Sequence, residues 1–186
     1  MAANPDSDDH LVRRAIAGDG DAFGALYQRH MASIYRYIYY RVGDATEAED
    51  MTETTFLRVW EGLPRFVPDR IAFRSWLYRV AHNLLIDHYR TRKPQVSLEL
   101  ADQVHDPAPP PETALLAQSE RRWLAEAICR LNPEHQQLLA LRFIAGFTHA
   151  ESSRIIGRSE PATRVLQHRA LKALRAKLIE MDRSHS

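Results

Sequence analysis

The chain has 186 residues, 26% of them charged and 45% hydrophobic. That composition excludes a disordered polyampholyte and a membrane-embedded chain, and it allows one compact domain or two small ones. The 25 basic and 24 acidic residues leave a net charge of +1, which excludes a uniformly basic coat for nucleic acid but not a local basic patch.

The opening MAANPDSDDH is polar and acidic, unlike a signal peptide, and no apolar run reaches the ~18 residues of a membrane span. The expectation is a cytoplasmic protein with no membrane insertion. Helical periodicity dominates from there on, without sustained strand-like alternation. The first helical block covers 10–93. LVRRAIAGDG reads as a helix broken at Gly18–Gly20, and Asp21 is the candidate cap of the next helix, which Gly43-Asp44 ends. ATEAEDMTETTFLRVWEGL reads as a third helix, with Ala48, Phe56, Val59 and Leu63 as its apolar stripe. Residues 64–73 hold two prolines and read as a loop. Residues 75–93 read as a fourth helix capped by Ser75 and stopped before Pro94.

On this fourth helix Leu77, Val80, Ala81, Leu84 and Leu85 share one side. Arg79, Asn83, Asp87 and Arg90 share another. Trp76, Tyr78, His82, His88 and Tyr89 are interleaved with Arg74, Arg79, Arg90, Arg92 and Lys93. Bases beside aromatics next to a proline-broken loop suit a surface that neutralises phosphates and stacks unpaired bases. An ordinary solvated amphipathic helix explains the same composition.

Residues 94–112 contain Pro94, Pro107 and the run Pro109–Pro111, which cannot be helix interior. They read as an extended linker. A second helical block covers 113–182. Cys129, the single cysteine, excludes an internal disulfide and a CxxC pair, and its neighbours Ala127, Ile128 and Leu131 place it in a core. Pro133 opens a helix that Gly146 ends. Thr148 caps a short helix ending at Gly157, and Ser159 caps a long last helix with Pro161 in its first turn. Short helix, glycine turn and longer helix form the helix-turn-helix pattern. The last helix puts Leu166, Ala170, Leu174 and Leu178 on one side and Arg164, His168, Lys172 and Arg175 on the other. It is basic enough to enter a major groove, and a basic helix packed on a protein partner is the alternative. The fold class is therefore all-α: two small helical domains joined by a Pro-rich linker, the C-terminal one a helix-turn-helix.

Enzyme chemistry finds little support. There is no HExxH, no clustered Cys/His set, no GxxxxGK[ST] and no GxSxG. His149-Ala150-Glu151 lacks the PCxxC that a deaminase needs. No cofactor or metal is expected.

ATEAEDMTETTFLRVW, FRSWLYRVAHNLLIDHYRTRK and the stretch from Leu131 to Leu178, in this order around a Pro-rich linker, resemble the bacterial extracytoplasmic-function (ECF) sigma factors of the sigma-70 family. The resemblance implies a factor that binds core RNA polymerase and directs promoter recognition, DNA melting and initiation. It implies polymerase docking through Asp50, Glu53, Thr54 and Leu57. It implies −10 contacts through Arg74, Arg79, His82, Asn83, Asp87, Arg90, Arg92 and Lys93, with the loop Leu63–Phe73 capturing an unstacked base. It implies −35 contacts through Ser159, Glu160, Thr163, Arg164, Gln167, His168, Arg169 and Lys172. An anti-sigma factor is the implied regulatory partner. A stand-alone helix-turn-helix regulator that binds duplex DNA as a dimer is the competing reading. The chain departs from the family pattern at Glu53-Thr54, Asn132, Gln136, Ser152-Ser153 and Pro161-Ala162-Thr163. The paired serines reduce apolar packing in the first helix of the helix-turn-helix.

Overall fold

The computed structural model describes residues 7–91 and 111–185, with side chains over 7–90 and 119–183. The described residues form helices without strands, as the periodicity predicts. In chain order they are α1 (Asp8–Ile16), α2 (Gly20–Val42), α3 (Ala45–Gly62), a 3-10 turn (Leu63–Arg65), α4 (Phe73–Thr91), α5 (Pro111–Cys129), α6 (Pro133–Leu139), a π turn (Ala140–Ile144), α7 (His149–Ile156) and α8 (Glu160–His185). The chain divides into two compact units: 1–35 with 49–95, and 36–48 with 96–186. The segment 36–48, read above as part of the first block, thus groups with the C-terminal half. There the Cys129 thiol lies 3.8 Å from the Tyr40 carbonyl. Burial pushes this thiol up to about 12, so it is a packing group rather than a nucleophile. The linker 94–112 lies outside the described residues except for its last two, which open α5 with Pro111 at a position where a missing N–H costs nothing.

The first unit starts with a capped helix. Ser7 accepts from the His10 N–H at 3.3 Å, and Asp8 and Asp9 occupy the first turn of α1, where carboxylates offset the positive helix end. Asp8 also takes the Arg29 guanidinium at 2.7 Å and the His30 ring at 2.8 Å from α2. The His30 bond, ahead of Arg29, holds its carboxyl below the usual range against the opposing effect of burial. The cap of α2 is Asp19, not Asp21: its carboxylate accepts from the Ala22 N–H at 3.1 Å. Asp21 already lies in the first turn. α3 packs on α2 through Tyr27 against Phe56 and Phe23 against Trp60, both at 4.8 Å between ring centres. Its stripe of Ala48, Phe56, Val59 and Leu63 is buried as the spacing predicts.

α4 begins at Phe73, two residues ahead of the predicted Ser75 cap, and the Trp76 N–H bonds the Ala72 carbonyl at 3.1 Å. The buried Phe73 ring explains the earlier start, because it joins Phe66 and Trp76 in an aromatic cluster. Leu77, Ala81, Leu84 and Leu85 continue this inner face.

In the second unit, α6, α7 and α8 surround Leu131, Leu139 and Ala170, with Ala173 and Leu174 against them. Two departures from the family pattern have structural work here. Asn132 accepts from the His135 N–H at 2.9 Å and caps α6. The Gln136 amide donates to the carbonyls of Cys129 and Leu131, each at 2.9 Å, which satisfies backbone acceptors left at the end of α5. The Ala145 N–H reaches back five residues to the Ala140 carbonyl at 2.8 Å, giving the π turn. Gly146 then reverses the chain at φ 70°. Thr148 and Glu151 form a reciprocal capping box at the start of α7, with bonds of 3.2 and 2.7 Å. Gly157 ends α7 in the left-handed region, as the sequence implies.

The two serines in α7 are both buried. Ser153 bonds the Ala150 carbonyl at 2.8 Å, whereas the Ser152 hydroxyl is enclosed without a partner among the described residues. An unsatisfied buried hydroxyl costs about 1–3 kcal/mol. Ser152→Ala therefore raises stability by about 1 kcal/mol, read as a higher urea midpoint at unchanged slope. A lower midpoint would mean that the hydroxyl makes a stabilising bond.

Candidate nucleic-acid and polymerase interface

Three surfaces emerge from these helices. The first is on α3. Asp50, Glu53 and Leu57 are exposed and Thr54 is half-buried, all on one face by their spacing of three and four. The Thr54 hydroxyl is turned back to the Asp50 carbonyl at 2.8 Å, so the face offers two carboxylates and an aliphatic centre. Leu57 is 63% exposed and Trp60 43%. Trp60 was not among the expected docking residues, although its place one turn after Leu57 makes it legible.

The second surface is the outer face of α4. Arg79, Asn83, Asp87 and Arg90 are exposed, and Arg74 and His82 are half-buried. Arg92 and Lys93 lie outside the described residues. Asp87 approaches Arg58 of α3 at 3.7 Å, an exposed pair of small energetic weight. Arg74 sits over the Tyr78 ring at 5.8 Å. The expected aromatic set changes. Tyr78 is fully buried, with its hydroxyl directed at the Ser33 carbonyl at 3.4 Å, so it is a core residue and not a base-stacking one. One face of Trp76 is taken by Phe66, stacked at 4.4 Å and 23°. His82, His88 and Tyr89 remain half-buried at the surface. The loop between α3 and α4 is thereby anchored from below by Leu63, Phe66 and Phe73, while Arg65, Val67, Asp69 and Arg70 are exposed.

The third surface is α8. Ser159 accepts from the Ala162 N–H at 3.4 Å, consistent with the predicted cap. Arg164, His168, Arg169, Lys172 and Arg175 are exposed, a cationic face on the second helix of a helix-turn-helix. Glu160 pairs with Arg164 at 2.7 Å, a surface pair of small energetic weight. Thr163 is a correction: it is fully buried, and its hydroxyl bonds the Ser159 carbonyl at 3.0 Å. It belongs to the inner face with Leu166 and Ala170 and cannot present its side chain to a groove. Gln167 is half-buried and accepts from Arg142 at 3.1 Å. His149, at the start of α7, is held below its ordinary value, first by desolvation and then by the neighbouring Arg142 and Arg164 cations.

A helix-turn-helix with a cationic second helix is the architecture of a DNA-binding protein. The family models for Sigma-70 region 2 and Sigma-70, region 4 match residues 26–95 and 127–176. The chain is 38% identical over 174 residues to the ECF RNA polymerase sigma factor BldN of Streptomyces coelicolor, covering 92% of this chain and 66% of that one. It is 30% identical over 171 residues to the ECF RNA polymerase sigma factor SigL of Mycobacterium tuberculosis, covering 91% and 96%. The solved structure of CnrH with the cytosolic domain of CnrY superposes with a TM-score of 0.68 at 26% identity, covering 96% of this chain and 99% of that one. The chain belongs to the ECF RNA polymerase sigma factors of the sigma-70 family. It is a transcription initiation factor, and its two sigma-70 regions serve core polymerase binding and promoter recognition. Among its described residues no helix is long and apolar enough to cross a membrane.

Proposed function

We propose that the three surfaces divide the work of initiation. The α3 face, with Asp50, Glu53, Thr54 and Leu57, docks on core polymerase. Arg79, Asn83 and Arg90, with Arg74, His82 and Asp87 beside them and Arg92 and Lys93 beyond, hold the −10 strand while the 63–73 loop takes up an unstacked base. Extruding a base costs a few kcal/mol, so a loop anchored in advance and cations on the adjacent backbone are what the step requires. On α8, Glu160, Arg164 and Gln167 face base edges at −35, and Ser159, His168, Arg169 and Lys172 lie along the phosphates. Domains of 10–93 and 113–182 tethered by 94–112 let one chain reach both elements. The chain's part is regulatory, the polymerase supplying the catalysis, and the place of action is the cytoplasm. An anti-sigma protein is its regulatory partner; the relative CnrH likewise binds a protein, the cytosolic domain of CnrY.

The observation that carries this reading is the exposed cationic face of α8, set on a capped helix-turn-helix. The test is run-off transcription from genomic templates with core enzyme. Discrete products that appear only with this protein support the reading, and their absence despite tight core binding overturns it. Within the −35 face, Lys172 is exposed and has no ion pair among the described residues, as suits a phosphate contact. Lys172→Ala weakens holoenzyme binding similarly on all promoters and lowers the salt slope by about one. Filter binding across a salt series checks this. A sequence-dependent loss at unchanged slope would assign Lys172 to base edges instead.

A further inference from the structure

We infer that Val165 reads the C5-methyl group of a thymine in the −35 element. The inference rests on the promoter-recognition reading above and adds to it a residue that reads by shape. Val165 stands in the second turn of α8 and is 53% exposed. Its outward direction follows from helical phase. Thr163, Leu166 and Ala170 are the buried side of the helix. Val165 lies roughly 130° from the middle of that side at 3.6 residues per turn. His168, Arg169 and Lys172 follow it at three, four and seven positions, and all are exposed. Such spacing puts the four side chains in one stripe.

Residue type singles Val165 out within that stripe. Arg169 and Lys172 can each take a phosphate, and the His168 ring can hydrogen-bond one. Val165 has no charge, no donor and no acceptor. Residues near the start of a recognition helix are the ones that reach base edges. Among the base edges of a major groove, the apolar group that an alkyl side chain can meet is the methyl of thymine. Branching at Cβ holds a helical valine in one χ1 rotamer about nine times in ten. Its two methyl groups are therefore placed in advance, and little side-chain entropy is lost on contact.

The experiment measures holoenzyme binding to a promoter duplex in which each −35 thymine, on either strand, is replaced in turn by deoxyuridine. Deoxyuridine keeps the pairing edge and O4 and lacks only the methyl. At one position the wild type is expected to prefer thymine to uracil by about three- to tenfold, the effect of burying one methyl group. Val165→Ser removes both valine methyls from an exposed site, so folding is spared, and it brings that ratio to about one. If that pair is changed to G·C with cytosine in place of the thymine, 5-methylcytosine exceeds cytosine with the wild type and equals it with Val165→Ser. A wild-type ratio of one at every thymine overturns the inference. So does a ratio that Val165→Ser leaves unchanged, which would assign the methyl to another residue, or Val165 to the sugars if all promoters weaken alike. The sigma-factor reading survives each of these results. Absence of promoter-specific binding by wild-type holoenzyme overturns both.

Discussion

Leu57→Asp is expected to abolish saturable binding to core RNA polymerase at concentrations where the wild type is fully bound, with helical content and melting temperature unchanged. Leu57 is 63% exposed, so the fold loses nothing measurable when it is replaced, within about 0.5 kcal/mol. In an interface its role changes. It is the aliphatic centre of the α3 face, with the Asp50 and Glu53 carboxylates around it. Apolar centres inside a polar rim are where binding energy concentrates, and losing one costs about 2–4 kcal/mol. That is roughly a 30- to 1,000-fold weaker complex. The aspartate adds a desolvated charge to a face that is already acidic. Sedimentation with fluorescently labelled protein measures it. Unchanged affinity would move the docking surface elsewhere on the chain.

Phe66→Ala is expected to lower the stability of the first unit by about 3–5 kcal/mol, the usual cost of truncating a buried phenylalanine. Phe66 is 8% exposed, stacks on Trp76 at 4.4 Å and meets the Phe73 edge at 6.2 Å. The neighbourhood has no slack, since a Cβ at Gly62 would come within 2.9 Å of the Trp76 ring. The loss falls on the segment that would capture the flipped base. Permanganate reactivity of the −10 element should therefore drop well beyond what reduced protein stability alone gives. Duplex contacts of α8 should be unaffected, because α8 belongs to the other compact unit. Urea unfolding followed by tryptophan emission, together with footprinting at a temperature where the variant is folded, separates the two effects. A variant of wild-type stability, or one that melts promoters normally, would contradict this role for the aromatic anchor.

Local chemistry made most of the helices legible. Thr148 with Glu151, Gly157, Asn132-Pro133 and Ser159 act within three or four residues, so their spacing alone announces caps and stops. The inner stripes of α3 and α4 followed from period. Misplaced boundaries have equally local causes. Two aspartates flank Gly20, and only Asp19 has the geometry to accept from Ala22. Ser75 looked like a cap because the pull of the buried Phe73 comes from Phe66 and Trp76, which local patterning does not weigh. Residue type puts Tyr78 among the surface aromatics and the family resemblance puts Thr163 at −35, yet each sits in register with its inner stripe: Tyr78 with Ala81 and Leu85, Thr163 with Leu166 and Ala170. Period outweighs both signals. The Arg142–Gln167 bond was out of reach, because it depends on a π turn that closes one residue later than an α turn.

Two helical modules acting through polymerase on one promoter is the central claim, and a three-way gel shift tests it most directly. Promoter duplex is mixed with this protein alone, with core polymerase alone, and with both. A sequence-specific complex is expected only in the third lane, with competitor-resistant occupancy of both promoter elements. A sequence-specific complex of a protein dimer with duplex in the first lane, unchanged by adding core enzyme, would contradict it.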